Sequence, residues 1–236
     1  MNGTSDAAIT RARHFALLAG VCAAAALLVG ARADLEQFFR SYLFGFLFWA
    51  GIALGSMALV MLHNLTGGGW GLIIRRCLES AMRTMPLVAL LAVPILLGLP
   101  HLYIWARPEA VAADELLRHK SAYLNPWFFM IRTAIYFAAW LVLTRLLTKG
   151  SLAQDRSSDP AAGRRLRMIS GPGLVVYGLT VTFASVDWVM SLEPHWFSTI
   201  YGMLFMVGQG LATLALALVV TMLLREREAL RLSAII

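Results

Sequence analysis

Asp187, Glu193 and His195 lie in one short stretch of the sequence, SVDWVMSLEPHWFSTIYG (residues 185–202), which long apolar segments flank on both sides. Carboxylate and imidazole groups take up and release protons, and the charge and burial around them control that chemistry. A charged residue inside a membrane-spanning segment is costly, so it indicates a function when a partner can be named. Asp187, which we predict within such a segment, is therefore the first candidate for proton transfer. Glu193 and His195 are candidates that lie nearer to water.

Arg132 is the partner that the sequence offers to Asp187. Arg132 lies about six residues inside one predicted span, and Asp187 lies about four to seven residues from the end of the next. At a rise of about 1.5 Å per residue, both lie roughly 6 to 10 Å below the same membrane face. Two interpretations are open at this stage. The pair either fixes how two helices pack, or it contains a carboxylate that exchanges protons.

The elements that must position these residues are transmembrane helices. Apolar residues make up 59% of the 236 residues and charged residues 14%. The apolar blocks are roughly 16 to 25 residues long, which is enough to cross a bilayer as a helix. The sequence predicts an all-α, polytopic transmembrane helix bundle over residues 15–224, between terminal segments 1–14 and 225–236. The six predicted spans are Phe15 to Gly30, Tyr42 to Leu62, Met85 to Ile104, Trp127 to Leu147, Gly173 to Met190, and Ile200 to Leu224.

The first predicted span has a second interpretation. Arg11 and Arg13, a short Ala-rich core and the run Ala31-Arg32-Ala33 also describe a signal peptide with an A-x-A cleavage site. We predict a retained span. Both interpretations place the N-terminus on the same side of the membrane.

The basic residues predict the orientation. Fourteen of the 20 lysines and arginines fall on one side of the predicted spans and five on the other. Short loops rich in basic residues stay in the cytoplasm, so the N-terminus is predicted to be cytoplasmic and residues 185–202 periplasmic. The net charge of +7 follows this topology. It therefore gives no reason to predict nucleic-acid binding.

No metal or haem motif is present in the sequence. Cys22 and Cys77 have neither a CxxC nor a CxxCH neighbour. His63 is predicted at the cytoplasmic end of its span, whereas His101 and His195 belong to the periplasmic side. No two histidines therefore face each other at one depth within the hydrocarbon core, as haem b requires. His101 and His195 remain candidate proton carriers near the surface.

Several polar or small residues have structural interpretations. The glycines of NLTGGGWG predict a flexible turn rather than a phosphate cradle, because no Lys-Ser/Thr follows them. Arg75, Glu79 and Arg83 recur every four residues, which predicts a short helix in the membrane interface. The polar stretch from Thr148 to Arg167 predicts a solvated linker.

Two further positions concern helix packing. Gly51 and Gly55 form a small-xxx-small pair, which lets another helix approach closely. Gln209 and Thr213, four residues apart in the last predicted span, form a polar spot. This spot is interpreted as interhelical hydrogen bonding, with a proton or water path as the alternative.

Four stretches of the sequence resemble the NrfD-like membrane subunits of bacterial alternative complex III. The stretches are SVDWVMSLEPHWFSTIYG, SYLFGFLFWAGIALGSMALVMLHNLTGG, MRTMPLVALLAVPILLGL and YLNPWFFMIRTAIYF. The similarity runs from about Ser41 to Leu224 and is greatest to the quinone-binding subunit 2 branch of that family. Its most specific part is the Asp-Trp-x-x-Ser-Leu-x-Pro-x-Trp run.

The resemblance implies a subunit of a quinol:electron-acceptor oxidoreductase. The matching Asp of the sister subunit lies at the quinol site, and this role maps onto Asp187. Trp188 and His101 are the further candidate quinone contacts. Asp187, Arg132, His195 and Glu193 are the candidates for proton transfer or quinone contact. In this branch of the family, proton transfer or a scaffold role is also expected. No covalently bound cofactor and no metal are expected in this chain.

The expected partners also follow from the resemblance. They are membrane lipid, a second NrfD-like subunit, multihaem and monohaem cytochrome c, an iron-sulfur subunit and a terminal oxidase, with haem and iron-sulfur clusters in the partner subunits. Family members usually continue into further helices beyond the point where this sequence stops, which is consistent with a fragment, a split gene product or a shortened homologue.

Two other functions remain open at this stage. A secondary transporter or ion-conducting bundle would use Arg132, Asp187 and Gln209 along a substrate path. A scaffold for redox partners would need none of them.

Overall fold

A computed structural model describes residues 34–156 and 160–233 of this chain, together with residues 10, 14–15, 17–23, 26–27, 29–30 and 32. It describes only the backbone at 156, 160, 162 and 224–233. The predicted first span, Phe15 to Gly30, falls where only separate residues are described. That prediction, its signal-peptide alternative and most of the terminal segment 1–14 therefore lie outside the continuously described residues.

Helices make up nearly all of the described regular structure, and no strand occurs within it. In chain order they are α1 (Leu35–Thr66), α2 (Arg75–Met82), α3 (Met85–Leu91), α4 (Val93–Leu97), α5 (Leu99–Leu102), α6 (Pro108–Ala113), α7 (Glu115–Lys120), α8 (Pro126–Arg156), α9 (Pro160–Trp188) and α10 (Tyr201–Ser233). Single 3-10 turns follow α5 at Ile104–Ala106 and α9 at Met190–Leu192.

Five segments of the described residues are long and apolar enough to cross a membrane. They are Leu35–Thr66, Arg75–Leu97, Pro126–Asp155, Gly163–Leu192 and Tyr201–Leu223. Each overlaps one of the predicted spans after the first. Over the described part, the prediction of an all-α chain with helices long and apolar enough to span a membrane is therefore confirmed.

The span that contains α3, α4 and α5 is interrupted. Pro86, Pro94 and Pro100 each lie in the first turn of one of these short helices. Proline has no N–H to donate and fits the first turn best, so each proline restarts the helix rather than continuing it. The predicted span from Met85 to Ile104 is thus a series of short helical pieces. The short helix predicted around Glu79 is present as α2.

Several helices extend past their predicted ends. Asp34 Oδ1 accepts a hydrogen bond of 3.0 Å from the N–H of Gln37, so α1 begins with an N-cap well before the predicted start at Tyr42. The expected linker from Thr148 to Arg167 is largely helical, because α8 continues to Arg156 and α9 begins at Pro160. Arg, Lys, Gln and Ala all favour helix, and three of them are polar, so a helix can continue beyond the apolar block.

The chain divides into two units, Met1–Phe44 and Gly45–Ile236. In the second unit, α9 packs against both α8 and α10.

The predicted close approach at Gly55 is confirmed, because a Cβ atom there would lie 2.6 Å from the carbonyl oxygen of Gln209. Thr213 donates a hydrogen bond of 3.3 Å to the Ile52 carbonyl oxygen. This contact confirms the interhelical hydrogen bonding predicted for that polar spot.

Candidate functional site

Arg132 and Asp187 form a buried ion pair between α8 and α9. Arg132 Nε donates to Asp187 Oδ2 at 2.9 Å, and a terminal guanidinium nitrogen donates to Oδ1 at 2.8 Å. The carboxylate of Asp187 is fully buried, and the Arg132 side chain is 8% exposed. The expectation that the two residues meet at one depth is therefore confirmed. Two parallel N–H to oxygen bonds fix the relative orientation of the two planar groups.

Two tyrosines complete the first layer around this pair. The Tyr136 hydroxyl donates a 2.7 Å hydrogen bond to Asp187 Oδ2. The remaining terminal nitrogen of Arg132 donates to the Tyr123 carbonyl oxygen at 3.0 Å, and the guanidinium carbon lies 3.8 Å from the centre of the Tyr123 ring. A cation over an aromatic face is attracted by the ring. Arg132 is thus held by hydrogen bonds in its plane and by a ring contact above it.

Sequence reasoning missed both tyrosines. Tyr136 lies four residues after Arg132, so both project from the same face of α8. That spacing was a signal that could have identified Tyr136. Tyr123 lies in the loop before α8, and the sequence contains no comparable signal for it.

Trp188, the residue after Asp187, packs into the protein core. It is 3% exposed, and its indole N–H donates to Thr133 Oγ1 at 3.2 Å. The ring stacks on Phe137 with centroids 5.7 Å apart and contacts Trp140 edge to face at the same distance. Trp188 therefore belongs to the packed aromatic core beside Asp187.

Glu193 and His195 lie away from Asp187. His195 Nε2 is 2.8 Å from Asp114 Oδ2, and the His195 side chain is 56% exposed. Glu193 is exposed and forms no ion pair with any residue that the structure describes. The partner of His195 is thus Asp114, which the sequence did not single out.

Asp114 links two short segments on the same side of the protein. Its carboxylate accepts hydrogen bonds from the N–H groups of Leu116 at 2.8 Å and Leu117 at 3.3 Å, so it caps α7. Desolvation raises the pKa of Asp114, but the backbone N–H bonds and the nearby His195 outweigh it and lower that pKa. Asp114 is therefore ionised at neutral pH and holds His195 near the start of α7.

A mostly apolar cavity of about 340 Å³ lies beside the ion pair. Met190, Trp196 and Phe197 supply apolar walls, and the polar lining residues are His119, Lys120, Tyr123 and Ser191. Ser191 Oγ donates to the backbone carbonyl oxygen of Asp187. The cavity and the ion pair are therefore connected through residues that contact both.

The Tyr123 hydroxyl is buried close to Asp187 and Tyr136, but it forms no hydrogen bond of ordinary geometry with a described residue. Burial, reinforced by the negative charge of Asp187, raises the pKa of Tyr123 to about 12. The phenol is therefore neutral at physiological pH. An unpartnered buried hydroxyl is costly, so it favours a bound polar group or water.

Two other residues of interest lie elsewhere. His101 is half-buried in α5 and is not among the residues that line the cavity. Gln209 accepts a 2.8 Å hydrogen bond from the Tyr177 hydroxyl, which joins α9 to α10. Neither has a described hydrogen bond to Arg132 or Asp187.

No group of three or more His, Cys, Asp or Glu side chains with metal-binding geometry occurs among the residues the structure describes. Cys77 is a free thiol on α2, and Cys22 is free and exposed. That the isolated chain carries no haem or metal remains a prediction for spectroscopy.

The described residues form a helical protein with five helices long and apolar enough to span a membrane, and with a buried carboxylate–guanidinium pair beside an apolar cavity. No protein-family model matches this chain, and no curated protein matches it either.

Proposed function

We propose that this chain is an integral membrane subunit of a respiratory quinol:electron-acceptor oxidoreductase in the bacterial inner membrane, similar to the NrfD-like subunits of alternative complex III. The observation that carries the proposal is the buried Asp187 carboxylate beside an apolar cavity of about 340 Å³. A quinone head group is a flat ring with polar oxygens. Such a ligand suits a cavity that has aromatic and thioether walls and a few polar groups on one side.

The site supplies groups for both parts of a quinol. Met190, Trp196 and Phe197 would contact the ring and the start of its apolar tail. Tyr123 and Ser191 line the cavity, and the buried Tyr123 hydroxyl would bond a quinol oxygen after its ring turns toward the cavity. Trp188 would not contact the quinol but would hold α9 in place through its packing in the core. His101 does not line the cavity, so this arrangement gives it no contact with the quinol.

The chemistry of quinol oxidation assigns a role to Asp187. Oxidation of one quinol releases two electrons and two protons and leaves a quinone. The electrons would pass to haem or iron-sulfur centres in partner subunits, and the protons need acceptors near the head group. Asp187 is a base within reach of the cavity wall. Because Arg132 and Tyr136 already donate to it, taking up a proton would require one of these bonds to break.

Arg132 makes such an exchange feasible. When Asp187 becomes neutral, the guanidinium keeps its bond to the Tyr123 carbonyl oxygen and its ring contact. These two contacts offset part of the cost of a buried guanidinium whose anion has been neutralised. Glu193 and His195, at the exposed edge, would pass the proton on to water.

The proposal is tested by purification of the chain from its native membrane in mild detergent. Co-purification of multihaem cytochrome c and an iron-sulfur subunit, together with quinol-driven reduction of cytochrome c, is the expected result. A complex with neither redox partners nor quinol oxidation would overturn the proposal. A lone homo-oligomer would favour the transporter hypothesis instead.

A further inference from the structure

A second cavity, of about 220 Å³, lies at the other end of the α8–α9 pair. It is lined by the end of α1, the glycine turn that follows, α2, and the facing ends of α8 and α9. Arg167 in this cavity and Asp187 are 20 residues apart on α9, which is about 30 Å of helix. That separation equals the thickness of a bilayer hydrocarbon core. If the helices span a membrane, the two cavities lie at opposite membrane faces.

The lining of this second cavity is polar and basic. His63, Asn64, Arg75, Gln154 and Arg167 line it, and no carboxylate does. An opening with basic groups and no acidic group favours an anion by simple charge complementarity.

Arg75 is held in position by a buried carboxylate. Arg75 Nε donates to Glu79 Oε1 at 2.8 Å, and a terminal nitrogen donates to Gln154 Oε1 at 2.8 Å. Glu79 is 2% exposed and also pairs with Arg76 at 2.9 Å. Arg76 also pairs with Asp155 at 2.6 Å, so these two guanidinium groups are balanced by two carboxylates. The net positive charge of the cavity therefore comes from Arg167.

Arg167 is the unpaired cation of this cavity. It is exposed, and it forms no ion pair or hydrogen bond with any residue in the described part of the chain. The facing turn contains Gly67 and Gly68 at φ values of +66° and +84°, which other residues adopt only with strain. The Gly67 N–H donates to the His63 carbonyl oxygen at 2.8 Å. The Gly68 N–H donates to no acceptor among the described residues, so it remains available to a ligand.

We propose that this cavity binds the phosphate group of an anionic phospholipid. Phosphate oxygens match a guanidinium bidentately and also accept hydrogen bonds from backbone N–H groups. The phospholipid is favoured over a soluble phosphate because the cavity lies at the ends of membrane-spanning segments, where head groups lie. Leu72, which lines the cavity, and Ile73 are both exposed apolar side chains beside it. These two residues would contact the acyl chains.

This site differs from a nucleotide phosphate loop. The glycine turn is followed by no Lys-Ser/Thr, and the free cation comes instead from Arg167 on α9. Basic pockets between transmembrane helices bind anionic lipid head groups in this manner. The proposal requires membrane-spanning helices and is independent of whether the Asp187 cavity binds quinol.

The test compares Arg167→Gln with Arg165→Gln in the full chain. Both changes remove one charge from an exposed position of α9. Arg165 is not among the residues that line the cavity, and two residues on a helix are separated by about 200°. Native mass spectrometry of the detergent-solubilised protein, titrated with phosphatidylglycerol or phosphatidylcholine, measures lipid binding. We expect Arg167→Gln to weaken phosphatidylglycerol binding about five-fold and Arg165→Gln to weaken it less than about two-fold.

Two results would overturn the proposal. If the two variants lose phosphatidylglycerol affinity equally, binding depends only on the overall surface charge and not on this cavity. Binding of phosphatidylcholine as tight as that of phosphatidylglycerol would remove the requirement for an anionic lipid. Inorganic phosphate distinguishes the source of the anion. If millimolar phosphate fails to displace phosphatidylglycerol, the result supports a lipid site. If phosphate displaces the lipid and is itself retained by the wild-type protein but not by Arg167→Gln, the assignment to lipid is overturned.

Discussion

The guanidinium of Arg132 and the carboxylate of Asp187 face each other through two parallel hydrogen bonds of 2.9 and 2.8 Å, across 55 residues of sequence. Neither group has ready access to water. Each charge therefore depends on the other for its stability, and changes to the two residues should not have additive effects.

Asp187→Asn and Asp187→Leu should have different effects. The asparagine keeps the shape and removes the titration, so the complex should assemble while quinol-driven turnover falls about 100-fold or more. Both changes remove the anion, but the asparagine keeps an amide oxygen that can accept from Arg132. The leucine leaves the buried guanidinium with neither an anion nor an acceptor at residue 187, which costs about 3 to 5 kcal/mol, so assembly itself should fail. Subunit content after purification and quinol:cytochrome c reductase activity measure the two effects. Normal turnover and proton coupling in an assembled Asn variant would mean that Asp187 is only a structural anchor.

Tyr136→Phe should weaken the site without disturbing its packing. The change removes the hydroxyl that donates to Asp187 Oδ2 at 2.7 Å, and a hydrogen bond to a charged group contributes about 1.5 to 3 kcal/mol. The thermal unfolding midpoint in detergent should fall accordingly. Tyr201→Phe is the matched control, because the Tyr201 hydroxyl has no hydrogen bond to a described residue. Equal midpoints for the two variants would argue against a stabilising role for the Tyr136 hydroxyl.

Gly55→Ala should destabilise the contact between α1 and α10. The added methyl carbon would lie 2.6 Å from the Gln209 carbonyl oxygen and would contact Thr213 even more closely. Overpacking of this kind costs about 1 to 3 kcal/mol. Gly45→Ala is the control, because its added carbon meets nothing within 4 Å. Alanine is also the better helix former by about 1 kcal/mol, so the control should be neutral or stabilising. A Gly55→Ala protein as stable as wild type would refute the close approach.

The basic-residue bias predicts the topology of the loops. Reporter fusions near Ser158 should be active as cytoplasmic reporters, and fusions between Ala106 and Asn125 should be active in the periplasm. The reason is that basic short loops are retained in the cytoplasm. Alkaline phosphatase activity from a fusion near Ser158 would reverse the orientation and exchange the two membrane faces assigned to the cavities.

Sequence alone determined the helical membrane architecture and the depth of the ion pair. Apolar blocks of sufficient length have few alternatives to a helix in lipid. Once the helices are set, the fixed rise per residue places Arg132 and Asp187 at one level. The same local reasoning failed between Thr148 and Arg167, where polar composition predicted a linker and the chain is mostly helical. A polar composition indicates contact with water, but it does not exclude a helix. A helix in water forms the same backbone hydrogen bonds as a helix in lipid.

Tertiary structure alone decided what surrounds the ion pair. The ring of Tyr123 over Arg132, the pairing of His195 with Asp114, and the cavity beside Met190 and Trp196 all depend on loop paths between helices. Arg167 and the Gly68 turn meet at the second cavity only because α1 and α8 end where α9 begins. Periodicity and hydropathy describe one segment at a time. Contacts between distant segments depend on how each helix is rotated and packed against the others, which no single segment specifies.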